Sequence, residues 1–272
     1  MNNKIIIGAD IEVFLYDKKN KKCISAIDII SGTKKNPLKL TESGFAVSHD
    51  NVLAEFNIEP AINRNGFIKN IYFMLEHIPK IIPDELTILT KASANYNEDQ
   101  LKNPLALEFG CEPDFNVYSN TENKINQYAG LKPLRCAGFH VHIGFDNKTK
   151  ENQWNIIKMM DLYLGVPSVL IDKDIQRRKL YGKAGAFRPT EWGVEYRVLS
   201  GFFASSVNLI GWVYDNALRA TEMALKSDLY DIRYMLSIIN SINNNNKSLA
   251  MKIIKENNVP MPNNYKQFVF VK

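Results

Sequence analysis

The strands suggested by this sequence arrive irregularly and do not alternate with helices. That excludes a regular βαβ succession and predicts an α+β fold, an antiparallel or mixed sheet backed by helices. Residues Lys4 to Tyr16 read as a first strand, Cys23 to Ile29 as a short β-like run, and the stretch from Phe45 to Pro60 as further alternating strand that ends at the proline. Phe67, Ile71, Met74, Leu75 and Ile78 recur at helical spacing, so a helix is predicted from Gly66 to Ile78. Leu86 to Ala94 and Phe139 to Phe145 read as strands, and the polar segment 95–126 as mostly loop. Helices are expected over 152–164, 205–225 and 230–239, with loop and then strand over 186–200. The asparagine run 240–245 reads as a solvated loop. A chain of 272 residues fits one compact domain, here set at 1–240, with 241–272 as a C-terminal extension packing on it.

Composition removes several function classes. The net charge of +5 is mild, and no dense Lys/Arg run supplies a nucleic-acid footprint; Arg177, Arg178 and Lys179 come nearest. No nucleic-acid partner is therefore expected. No stretch is long and apolar enough to span a bilayer, and the first apolar run stops at Gly8 and meets acids at once, unlike a signal peptide. The expectation is a cytoplasmic protein without a membrane partner. Cys23, Cys111 and Cys136 are odd in number and widely spaced, which fits buried thiols in a reducing compartment.

Four groups of residues carry chemistry. Asp10 and Glu12 stand two apart in the first strand, so both carboxylates face one side. They read as metal ligands, or as the solvated face of an ordinary strand. Glu55, Asn57 and Glu59 repeat the pattern, with Asp50 in the turn before them, and two acidic strand faces favour a shared hard cation. His140 and His142, flanked by Gly138 and Gly144, share a strand face and suit a metal or phosphate contact. A zinc hydrolase built on this HxH is an alternative, although zinc usually takes further His or Cys ligands. Finally Arg177, Arg178, Lys183, Arg188 and Arg197 crowd a glycine-containing stretch suited to phosphate oxygens, with Glu195 beside Arg197. This is not a Walker A loop. Acids for divalent cations together with arginines for a polyphosphate are the parts that phosphoryl transfer needs.

The segments GADIEVFL, DNVLAEFNIEP, GCEPDFN, GFHVHIG, GKAGAFRP and GVEYRVLS, spread over roughly residues 5–220, resemble the phage phiEco32-like carboxylate–amine ligases, the amidoligase type 2 group of the glutamine synthetase and glutamate–cysteine ligase superfamily. The resemblance implies a curved, largely antiparallel sheet whose concave face holds ATP and Mg2+, and a phage or prophage setting. Carried over, Asp10 and Glu12 take the acidic pair of the first strand, with Asp10 an aspartate where many relatives have glutamate. Glu55 takes the acid of the second metal-binding strand, with Asp50 or Glu59 as companion. His140 takes the metal- or nucleotide-side histidine, with His142 as a second. Glu195 takes the late acidic ligand, Arg197 the phosphate-facing arginine, and Arg188 the arginine that meets the transferring phosphate; Arg177, Arg178 and Lys183 are further phosphate contacts. The implied activity joins a carboxylate to an amine through an acyl phosphate; the substrates are not named by the sequence, and whether either sits on a peptide, a protein or the cell wall is open. A phosphotransferase on the same scaffold is the alternative. The last fifty residues carry no motif, and the oligomeric state is open.

Overall fold

The computed structural model describes residues 4–41, 44–107, 114–123, 133–226 and 232–267. Cys111 and the first four residues of GCEPDFN lie outside the described residues. The elements, in chain order, are β1 (Ile6–Asp17), β2 (Lys22–Ile24), β3 (Leu38–Lys39), β4 (Ala46–Asp50), β5 (Leu53–Asn57), α1 (Arg64–Ile81), β6 (Leu86–Leu89) and β7 (Ser93–Asn95). There follow β8 (Phe115–Asn116), β9 (Thr121–Glu122), β10 (Leu134–Cys136), β11 (Phe139–Gly144), α2 (Lys150–Met160), a π-helical turn (Asp161–Gly165), α3 (Val166–Ile171) and α4 (Gln176–Leu180). The chain continues with β12 (Ala186–Thr190), β13 (Gly193–Tyr196), α5 (Val207–Leu225), α6 (Ile232–Asn243) and α7 (Lys247–Glu256).

One large antiparallel sheet runs in the order β3-β4-β5-β1-β11-β13-β12-β8-β9, so the fold is α+β. The twelve-residue β1 is its axis. Its first half pairs with β5 and β11, and its second half with β2 and β6. Because side chains alternate along a strand, residue parity divides the sheet into two faces. Odd positions of β1 (Ile7, Ala9, Ile11, Val13, Leu15) join Ala54, Phe56, Phe139, Val141, Ile143, Val194 and Tyr196, all buried, in one hydrophobic core. Helices α1, α2 and α5 supply the other half of that core. Phe67 of α1, for instance, has its ring 6.4 Å from Phe139 and 5.5 Å from Tyr214 of α5. These helices start where polar side chains satisfy free backbone amides: Asn63 accepts from Gly66, Thr149 from Asn152 and Ser206 from Leu209.

Several local expectations change. The segment 45–60 is a hairpin, turned at Asn51 with φ 53°, a conformation that asparagine tolerates. Asp50 ends β4 opposite Leu53 instead of sitting in the turn, and Glu59 lies beyond β5, exposed. The run 86–94 splits into β6, on the main sheet, and β7, which pairs with β10 in a two-stranded sheet. The asparagines at 240–243 complete α6, and α7 follows, capped by Asn246. Helix α6 thus crosses the boundary set at 240, and both C-terminal helices pack against α3. No described helix is long and apolar enough to cross a membrane.

Candidate active site

The even positions of β1 carry the opposite face, and register brings the charged residues of four other strands alongside them. Glu12 stands directly opposite Glu55, and Asp10 stands between Asn57 and His140. His142 stands opposite Glu195, which in turn stands opposite Arg188. Directly opposed residues share a face and have Cβ atoms only about 5 Å apart. The face therefore runs from a carboxylate end on β4, β5 and β1 to an arginine end on β13 and β12.

At the carboxylate end, Glu12, Glu55 and His140 each offer a ligand atom, and these atoms all lie within 4.8 Å of one another. Glu12 is fixed by the Gly138 amide, which donates to its Oε2 at 2.5 Å. Gly138 also makes room: a Cβ there would sit 2.3 Å from the His140 Nε2. Burial raises the Glu55 carboxyl well above the usual range, and the neighbouring Asp50, Asp10 and Glu12 push the same way. Burial and Asp50 raise Glu12 as well. Stacked carboxyls of this kind resist ionisation unless a cation neutralises them. His140 is held well below the ordinary imidazole range by burial and by Arg197 and Arg177. It is thus the neutral imidazole that metals bind. Two buried carboxylates and a neutral imidazole fit a divalent cation such as Mg2+ in donor chemistry, oxygen ligands predominating. Lys34, which sequence reading passed over, reaches from a loop to Asp50 at 2.8 Å.

Next along the face, Asp10 accepts from Asn57 Nδ2 at 2.5 Å and lies 3.2 Å from His142 Nε2. Although burial opposes it, this pairing lowers Asp10, with His142 the main cause, and raises His142. The indole of Trp192 lies over the other side of His142, with ring centroids 4.9 Å apart.

The arginine end is built around Glu195, which is nearly fully buried. Arg197 Nη1 donates to its Oε1, and Arg188 Nη1 to its Oε2 at 3.3 Å. Arg197 also reaches His140 Nδ1 at 3.3 Å and Asp114 at 3.8 Å. Asp114 lies in the GCEPDFN motif, but its meeting with Arg197 depends on folding. Lys183 sits in the turn before β12, half-buried, with burial and Arg178 lowering its ammonium. Arg177 and Arg178 are buried. Arg177 donates to the carbonyls of Val198 at 2.8 Å and Arg197 at 3.4 Å, and it passes where a Gly182 Cβ would stand 2.2 Å from its Nη1. Arg178 donates to Ser168 Oγ of α3 at 2.7 Å. Asp10, Glu12, Glu55, His140, Arg188, Glu195 and Arg197 therefore meet on one face, with Asp50 beside Glu55. Arg177 braces the chain that leads out of β13, and Arg178 faces α3.

Residues 116–225 match the family model described as Phage phiEco32-like COOH.NH2 ligase-type 2. No curated protein matches the chain in sequence. Among solved structures the chain is similar to Plasmodium falciparum glutamine synthetase, at 12% identity and a TM-score of 0.43, covering 83% of this chain and 52% of that one. It is also similar to a bifunctional glutathione synthetase from Pasteurella multocida, at 9% identity and a TM-score of 0.44, covering 93% of this chain and 49% of that one. A third likeness is to GmaS in its apo form, at 9% identity and a TM-score of 0.44, covering 100% of this chain and 73% of that one. The chain thus spans about half the length of the first two. The family match takes in the histidine strand and the Arg188–Glu195–Arg197 hairpin.

Proposed function

We propose that this chain is an ATP- and Mg2+-dependent carboxylate–amine ligase that forms an amide through an acyl phosphate. The observation that carries the reading is the juxtaposition, on one sheet face, of a cation-competent carboxylate group with an arginine–glutamate hairpin. The family-model match over the hairpin segment supports the same chemistry.

Glu12, Glu55 and His140 would hold a divalent cation, with Asp10, Asp50 and Glu195 beside them. When bound, the cation neutralises charge on phosphate oxygens. Arg188 and Arg197 orient the terminal phosphate and stabilise the charge that develops as the γ-phosphoryl moves to the substrate carboxylate. Both arginines are already aligned by Glu195, so little reorganisation is needed at that step. Arg177 holds the backbone behind Arg197, and Lys183 offers a further cation at the turn into β12. The amine then attacks the acyl carbon, phosphate leaves with the C–O bond electrons, and the amine proton passes to a base.

The direct test is to incubate the protein with MgATP, a panel of carboxylates and hydroxylamine. An acyl phosphate is trapped as a hydroxamate, with stoichiometric ADP and phosphate. A stable phosphorylated product that hydroxylamine does not intercept would point to a phosphotransferase instead. No observation favours a hydrolase built on the HxH pair, since the cation-competent group found among the described residues contains His140 and not His142.

A further inference from the structure

Beyond its charged centre, the functional face ends differently in its two directions. Past Glu12 it is closed by a second hydrophobic cluster, in which Phe14, Val52, Leu53, Tyr96 and Ala137 are buried together. Past His142 the side chains are uncharged as far as Lys4 and Asp146, and the strand backbone is buried while its rim is exposed. The positions there are Gly8, Gly144 and Gly193, edged by Ile6, exposed Pro60 and Trp192. A Cβ on Gly8 would stand 3.5 Å from the Pro60 ring and 3.6 Å from the His142 Cβ, and one on Gly144 would stand 2.6 Å from Ile6 Cγ1. These groups therefore line one apolar strip. Trp192 remains 41% exposed although its ring rests 4.9 Å from that of His142.

Trp192 is also held in place. It stands in the turn between β12 and β13, and Gln153 of α2 donates to the Gly193 carbonyl at 2.8 Å. Lys148 donates to the Glu191 carbonyl at 3.0 Å, and the Gly193 amide donates to Thr190 Oγ1 at 3.1 Å. A Cβ on Gly193 would lie 1.9 Å from the Ile143 carbonyl oxygen, so β13 approaches β11 here as only glycine allows. An exposed indole on a turn pinned from three sides is a pre-organised surface, which binds at lower entropic cost than a mobile one.

We infer that Trp192 is the stacking platform for the planar heterocyclic base of the nucleotide, with Ile6 and Pro60 completing an apolar base subsite next to His142. The inference rests on the ATP reading above and adds a residue to it. Trp192 lies in the turn three residues before Glu195, at most about 10 Å from it along the chain. A nucleotide whose terminal phosphate lies on Arg188 and Arg197 can thus place its base on the indole. Stacking is tolerant of base identity, because every base presents a π-face. The subsite accordingly takes ATP and GTP with little preference.

The test compares Trp192→Ala and Trp192→Phe with the native chain, titrating each by calorimetry with MgATP and, separately, with magnesium tripolyphosphate. The expected result is MgATP binding weakened roughly ten-fold or more in Trp192→Ala, largely restored in Trp192→Phe, and tripolyphosphate binding unchanged in both. Unchanged MgATP affinity in Trp192→Ala overturns the inference and leaves the ATP reading standing. Equal weakening of both ligands overturns it too, because the indole would then be acting through the phosphate site. If the native chain binds neither ligand, the ATP reading itself fails and the base subsite falls with it.

Discussion

The two ends of the functional face solve opposite electrostatic problems. On β12 and β13 every charge has its complement: Glu195 is gripped by Arg188 and Arg197, and Arg197 also touches His140 and Asp114. On β1, β4 and β5 like charges are stacked, with Glu12 against Glu55 and Asp50 beside them, and Lys34 pairs with Asp50. The hairpin carboxylate is paired with arginines within the protein, whereas the carboxylate group carries an unfavourable charge density that a divalent cation would relieve. A fold retains such a cost where the group has a task beyond stability.

The comparison can be broken most forcefully at the junction of the two ends. Replacing Glu195 with Gln keeps its shape but releases both arginines, so turnover should fall by about 10²–10³, the loss typical of one preorganised transition-state contact. Near-native turnover in a folded variant would remove Glu195 from the chemistry. The next effect separates the ends. Magnesium at about one hundred times its dissociation constant should stabilise the native chain by about 2.7 kcal/mol. Glu55→Gln should abolish that shift in a thermal melt, and Arg188→Ala should retain it while losing ATP binding.

A third prediction concerns the apolar side beneath the hairpin. Asp161, fully buried, accepts from Tyr196 Oη at 2.8 Å and from the Gly185 amide at 2.6 Å, and burial pushes its carboxyl up to about 7. A raised folded pKa means a stabilising contribution that is full below the unfolded value near 4 and is lost as pH rises through about 7. Stability should therefore decline across that window, by a few kcal/mol at the order-of-magnitude level, and Asp161→Asn should flatten the decline in denaturant titrations. The smallest effect belongs to Lys34→Ala. Its pair with Asp50 is partly exposed, so removal should tighten magnesium binding by only a few-fold, as a competing cation worth about 0.2–1 kcal/mol leaves.

Strand periodicity made much of this face readable in advance. The spacing of Asp10 and Glu12, of Glu55 and Asn57, of His140 and His142, and of Glu195 and Arg197 states which side chains point together. It does not state which strands are neighbours, and only the register β4-β5-β1-β11-β13-β12 turns four separate pairs into one surface. Lys34, Asp114 and Trp192 escaped because they lie off the paired strands, where no period marks direction. Arg177 looked like a phosphate ligand because an arginine beside glycines suits phosphate, and the same features suit an arginine bound to backbone carbonyls under Gly182. The split at 90–92 and helix α7 were hidden by short apolar runs whose period is ambiguous.

The central claim is that the two ends act on one ligand, the carboxylates through a divalent cation and the hairpin directly. Calorimetric titration with ATP, with and without magnesium, on the native chain, Glu55→Gln and Arg188→Ala tests it most directly. The account predicts tight binding only with magnesium, lost in either variant. Magnesium-independent ATP binding that survives Glu55→Gln would contradict it.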